Sequence, residues 1–156
     1  MRRRRASFLS RSRDATNGVE PNALPVGRSS EQALLIDSLG LGLLTIQDHP
    51  YRAAFDDTWT LLTFLAARTR HVTLVPTVSS LPLRPPAVLA KAVATLDRLT
   101  GSRVQLGRGA GAFWEAIEAM GGSRRRPREA VDALEEAITV IRAMWSGERS
   151  VRTHGA

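Results

Sequence analysis

From residue 29 onward, apolar positions alternate between helical spacing and short continuous runs. Ser29-Ser30-Glu31 offer N-cap residues ahead of Leu34, Leu35, Ile36 and Leu39, and Gly40 is placed to end that helix. Leu41 to Ile46 reads as a buried strand that runs into Gln47-Asp48-His49-Pro50. Asp56-Asp57 then precede a helix carrying Trp59, Leu61, Leu62, Leu65 and Ala66, and Val72 to Val78 is β-branched and apolar, a second strand. Pro85-Pro86 open the next helix, whose expected inner face is Val88, Leu89, Ala92, Val93, Leu96 and Leu99, and Gly101 closes it. Val104 to Leu106 makes a third strand leading into Gly107-Arg108-Gly109-Ala110-Gly111. A small helical insert around Ala112 to Met120 follows. Pro127 then starts the longest helix, with Val131, Leu134, Ile138, Ile141 and Trp145 facing inward and Gly147 at its end.

Three strands thus alternate with four helices, and a weaker leading strand is offered by Ala23 to Val26 or by Ser7 to Leu9. Near-continuously apolar strands in strict alternation with helices predict an α/β protein with parallel pairing and helices over the sheet. The βα unit recurs every ~30 residues, as such units do. On pattern alone, a doubly wound sheet and a (β/α)8 barrel both remain open.

Charge changes the picture less than its size suggests. The formal net charge is +7, but residues 1–30 hold seven Arg against Asp14 and Glu20, so five of those charges lie in the leading segment. Lys91 is the single lysine, a bias that codon composition explains as well as phosphate binding does. Residues 1–28 are expected to be a basic, disordered extension, 29–150 the folded domain and 151–156 a tail. Arg4-Arg5 before Phe8-Leu9 hints at an export signal, but Ser10-Arg11-Ser12-Arg13 replaces the apolar stretch that one needs. Cysteine is absent, which excludes disulfides, thiolate metal sites and cysteine nucleophiles, and a cytoplasmic location is expected. No apolar run is long enough to span a membrane.

In either parallel architecture, ligands sit beyond the carboxyl ends of the strands. Asp48-His49-Pro50-Tyr51, Thr77-Val78-Ser79-Ser80 and Gly107 to Gly111 fall there, whereas His71 precedes a strand and His154 lies in the tail. His49 is the foremost candidate: an imidazole donates a hydrogen bond or exchanges a proton near neutrality. Asp48 could orient it and Tyr51 could add a phenolic donor. The plainer alternative is that Asp48 caps a turn and His49 serves loop backbone. Two such ligands without a third do not make a metal site. The glycine run lets backbone approach a flat ligand, or is simply a tight turn, and it is not the Gly-x-Gly-x-x-Gly of dinucleotide folds. No nucleotide-triphosphate loop and no Gly-x-Ser-x-Gly elbow is present.

Taken in order, LGLGLLTIQDHPY (39–51), DTWTLLTFLAARTRHVTL (57–74), LPLRPPAVLAKAVATLDRLTGSRVQLGRGAG (81–111), GAFWEAIEAMGG and EAVDALEEAITVIRAMW resemble the luciferase-like family over roughly residues 30–150. The resemblance implies a (β/α)8 barrel and a cofactor, reduced FMN or the deazaflavin coenzyme F-420, lying across the carboxyl ends of the strands. Flavin members activate oxygen and insert one atom, while deazaflavin members pass a hydride. The acidic residue and histidine after the second strand of deazaflavin-using members map onto Asp48 and His49, with His49 as proton donor or hydrogen-bond partner and Asp48 orienting it. An unusual cis peptide maps onto Thr77-Val78, behind the ring. Gly107, Gly109 and Ala110 would line the cofactor pocket, with Thr77 and Val78.

Two departures stand out. Arg108 replaces a small or aliphatic residue, and its guanidinium must reach solvent or an anion. It either holds a cofactor phosphate or marks a damaged sequence, and the second is favoured slightly. The pattern also stops after about four βα units, a partial barrel with exposed edges and an uncovered apolar face. Such a chain is expected to self-associate or to meet a separately encoded C-terminal half. The expected function is that of a flavin- or deazaflavin-dependent oxidoreductase acting on a small organic substrate. A non-catalytic remnant is the alternative. Nucleic-acid binding through the Arg tail ranks last, because the tail lacks interleaved aromatics.

Overall fold

The computed structural model describes residues 26–147 of the 156-residue chain. The chain is α/β with parallel strands, and the order of elements follows the alternation of the sequence. Helix α1 (Val26–Ser38) leads to strand β1 (Leu43–Ile46), α2 (Thr58–Arg68) to β2 (Thr73–Pro76). A short strand β3 (Ser79–Ser80) and a 3-10 turn (Leu81–Leu83) precede α3 (Pro86–Leu99). Strand β4 (Arg108–Gly109), the small helix α4 (Trp114–Ala119) and α5 (Pro127–Trp145) complete the order. Among the described residues, no helix is long and apolar enough to cross a membrane.

Local chemistry sets most of these boundaries. Asp57 caps α2, its carboxylate accepting from the N–H of Thr60 at 2.9 Å. Pro86 opens α3, and the Glu129 side chain reaches back to the Arg126 N–H at the start of α5. Gly40 and Gly101 take left-handed backbone, φ 69° and 70°, just past their helices, where a side chain would be strained. The start of α1 corrects the expectation: Ser29 and Ser30 are buried inside the helix, which begins at Val26, so they are not caps. The candidate leading strands, Ser7 to Leu9 and Ala23 to Val26, lie outside the described residues except for Val26, which is helical.

Strands β1 and β2 pair in parallel, Leu43 opposite Thr73 through Ile46 opposite Pro76. The third strand expected at Val104 to Leu106 is reduced to one bridge, Val104 with Leu74, secured by Leu74 N–H to Arg103 O and Gln105 N–H to Leu74 O. Pro76 closes β2 and has no N–H to extend that ladder. The chain instead pairs again farther on, Ser79 with Arg108 and Ser80 with Gly109.

The core lies between this sheet and its helices. Leu44, Ile46, Leu62, Leu65, Val72 and Leu74 are almost fully buried, with Ala33 and Ile36 from α1 and Leu89, Val93 and Leu96 from α3. Each such leucine contributes about 2 kcal/mol of apolar burial. Trp145 of α5 donates its indole N–H to Ala90 O of α3 at 2.9 Å, joining helices 55 positions apart in sequence. Several positions expected to face inward do not: Leu35, Leu39, Val88, Leu99 and Val131 are exposed. Helical spacing marks a stripe wider than the single face that packs.

Candidate active site

The carboxyl ends of the strands are drawn together by backbone. Thr77 donates its N–H to Ile46 O at 2.7 Å, so the segment after β2 stays joined to the end of β1. The Thr77-Val78 peptide is cis, as the resemblance implied. Ser79 N–H then reaches Gly107 O at 2.9 Å, and β3 and β4 pair. Thr77, Val78, Gly107 and Gly109 are thereby brought side by side. A Cβ on Gly107 would collide with the backbone carbonyl of Pro76, and one on Gly109 would lie 2.5 Å from Val78 Cγ2. These glycines are required by the adjoining Pro76–Val78 segment, which a side chain at either position would strike. Thr77 and Val78 remain exposed, and Ala110 is partly exposed beside them.

Asp48 lies below this surface. Its side chain is fully buried and forms a two-pronged pair with Arg84, Nε to Oδ2 and Nη2 to Oδ1, both 2.7 Å. It also accepts the Ser80 N–H at 3.1 Å. Arg84 bonds Asp57 as well, at 2.6 Å, so one guanidinium ties the loop after β1, the start of α2 and the segment before α3. Burial alone would weaken the charge on Arg84, but the two carboxylates hold it above its ordinary value. Burial also pushes Asp57 up, and the bond from Arg84 with the Thr60 donors brings it below the usual carboxylate range. This corrects the expectation that Asp48 orients His49: its oxygens serve Arg84 and Ser80.

His49 leans on Tyr51 instead, with Nδ1 and the phenolic oxygen 2.7 Å apart. Aromatic rings surround it: Phe113 stands edge-on at 5.8 Å between centroids, with Tyr51 at 5.5 Å and Phe55 at 6.2 Å. Phe113 sits just before α4 in left-handed backbone, φ 58°, uncommon for so bulky a residue. Burial raises Tyr51 above its ordinary value, the charge of Asp48 adding to it and that of Arg52 opposing it.

Arg108 carries the open valence of the site. Its Nη2 donates to Arg84 O at 2.6 Å, while its Nε and Nη1 are buried without a partner. Burial pulls its guanidinium down to about 10, Asp48 opposing this and the charges of Arg84 and Arg125 adding to it. Nη1 of Arg125 is likewise buried and unpartnered. Among the described residues, no cluster of His, Asp or Glu could hold a metal ion.

A profile of the family described as luciferase-like monooxygenase matches residues 6–156. The chain belongs to the luciferase-like monooxygenase family. It is 33% identical over 129 residues to the F420-dependent glucose-6-phosphate dehydrogenase 2 of Rhodococcus jostii, covering 77% of this chain and 38% of that one. Among solved structures, it is similar to the oxygenating constituent of 3,6-diketocamphane monooxygenase from Pseudomonas putida in complex with FMN (26% identity, TM-score 0.70, 79% of this chain and 34% of that one). It also shares its fold with an F420-dependent secondary alcohol dehydrogenase in complex with an F420-acetone adduct (22% identity, TM-score 0.75, 85% of this chain and 42% of that one). The chain therefore spans less than half the length of the relatives it matches.

Within this candidate site, the sequence pointed to His49, Tyr51 and Arg108 but missed Arg84, Arg125 and Phe113. Arg84 stood in plain view within LPLRPP, an arginine amid leucines and prolines. A long cation in so apolar a setting calls for a carboxylate, and Asp48 and Asp57 supply two.

Proposed function

We propose that this chain is one part of a flavin- or deazaflavin-dependent oxidoreductase of (β/α)8-barrel type, supplying the strand ends after which Asp48, Thr77 and Arg108 stand. The observation that carries the proposal is Arg108, a half-buried cation with two buried donor nitrogens unused at the carboxyl ends of the strands. At about 10 its pKa still leaves it charged near neutrality, and a buried charge without a counter-ion calls for an anion. A phosphate, which both FMN and F-420 carry, fits that donor set. Among the readings of Arg108 in the sequence, the phosphate anchor is therefore preferred.

The cofactor supplies the redox chemistry when bound, and the residues around it supply position and polarity. Thr77, Val78, Gly109 and Ala110 would form the floor, with Gly107 holding that floor against β2. His49 would face the reacting atoms as proton donor or hydrogen-bond partner. Asp48 would act beneath it, fixing the loop through Arg84. The remaining wall would come from the part of the barrel that the relatives have and the matched span does not cover.

Titration of the full chain with FMN and with F-420, followed by cofactor fluorescence, tests the proposal. One of the two is expected to bind, with affinity falling about tenfold or more in Arg108→Met, the loss of a charge-assisted pair. His49→Ala should bind nearly as well while losing turnover. Light scattering on the same samples reports whether a second copy is present. Binding of neither cofactor would leave a non-catalytic member of the family.

A further inference from the structure

The partner of a histidine decides what that histidine offers to the molecule in front of it. A neutral imidazole has one proton and one lone pair, and the bond made by one nitrogen fixes the state of the other. A carboxylate behind His49 would draw a proton onto Nδ1 and leave Nε2 with its lone pair, a base. The structure puts Asp48 out of that role, because Arg84 and Ser80 take its oxygens. Tyr51 stands behind the ring instead, 2.7 Å from Nδ1.

A phenol is a stronger donor than acceptor, and an unprotonated imidazole nitrogen is a strong acceptor. Burial keeps the proton on Tyr51 through the neutral range. The rings of Phe55 and Phe113 offer the imidazole only apolar contact on their sides. Among the described residues, none bonds Nε2.

We propose that Tyr51 is a positioning residue that donates its hydroxyl proton to Nδ1 of His49 and so fixes the ring proton on Nε2. His49 then presents a hydrogen-bond donor, and the atom it serves is an oxygen acceptor, such as a carbonyl on which negative charge develops. The assignment rests on the site role proposed above for His49 and selects between the two actions left open there.

The test uses the full chain, labelled with 15N and free of cofactor, so it is independent of the titration. Long-range imidazole correlations at neutral pH report which nitrogen of each of the three histidines carries the proton. The His49 signals are identified by their loss in His49→Gln. Wild type is expected to show Nε2–H almost exclusively at His49. In Tyr51→Phe that preference should relax to the mixture seen at exposed His71. A proton on Nδ1 in wild type would overturn the proposal, as would an unchanged ratio in a folded Tyr51→Phe. Should that variant fail to fold, wild type still decides: a slowly exchanging phenolic proton correlated to Nδ1 supports the assignment, and its absence refutes it.

Discussion

The two ends of the sheet treat polar groups in opposite ways. At the amino end, valences are closed within the protein. Arg103 spends all five N–H bonds on Thr100 O, Val72 O, Ala66 O, and both the carbonyl and hydroxyl of Thr69. Asp37 accepts the N–H groups of Arg70, His71 and Val72 at 2.7 to 2.8 Å, and Asp97 accepts that of Val104. At the carboxyl end, Arg84 gives three bonds to Asp48 and Asp57, yet Arg108 beside it keeps two donor nitrogens idle. Arg103 is bonded throughout, and Arg108 keeps buried donors without a partner among the described residues. Residue type alone does not separate them; the accounting of bonds does.

The contrast can be broken at its closed end. Arg103→Ala strands the carbonyls of Ala66, Thr69, Val72 and Thr100, and should cost about 3 kcal/mol in urea unfolding. A loss under about 1 kcal/mol would show that water replaces the guanidinium freely. Arg108→Met, by comparison, should leave stability unchanged or raised.

A smaller effect sharpens the open end. Gly107→Ala sets a methyl group against the Pro76 carbonyl, which is backbone and cannot turn aside, and should cost about 2 kcal/mol. Gly109→Ala should cost less, since Val78 is half exposed and its side chain can move. Equal costs would mean that β4 shifts as a whole.

The smallest effect lies with Asp37. Burial works against its charge, but the three backbone donors and nearby His71 bring its carboxyl below the ordinary 3.8. A lowered value means that its contribution is complete above the unfolded pKa and is lost as pH falls through the folded one. Asp37→Asn should therefore cost about 1 kcal/mol at neutral pH, as loss of a cap does. The difference from wild type should vanish in acid, as read from urea midpoints at both pH values.

Much of the fold was legible because its signals are local. Asp57, Pro86, Gly40 and Gly101 mark their helix ends by the chemistry of a few neighbouring residues. The start of α1 was not legible, since Ser29 and Ser30 suit a cap and an interior equally until the residues before them are placed. The site was half legible. His49 and Tyr51 are two positions apart and could be paired by eye, but Asp48 adjoins His49 in sequence and bonds Arg84, 36 positions on. Adjacency in a loop says little about which way two side chains turn. The glycines were seen, but the atoms that require them belong to Pro76 and Val78, which only the folded backbone brings near.

Trp59 extends from α2 to give its indole N–H to Ser79 Oγ at 2.9 Å. That places a natural fluorophore one residue beyond Val78, tethered to the floor on which a ring would settle. Its emission can therefore signal occupancy of that floor, by energy transfer to an absorbing ring or by the change in polarity around the indole, with no dye attached.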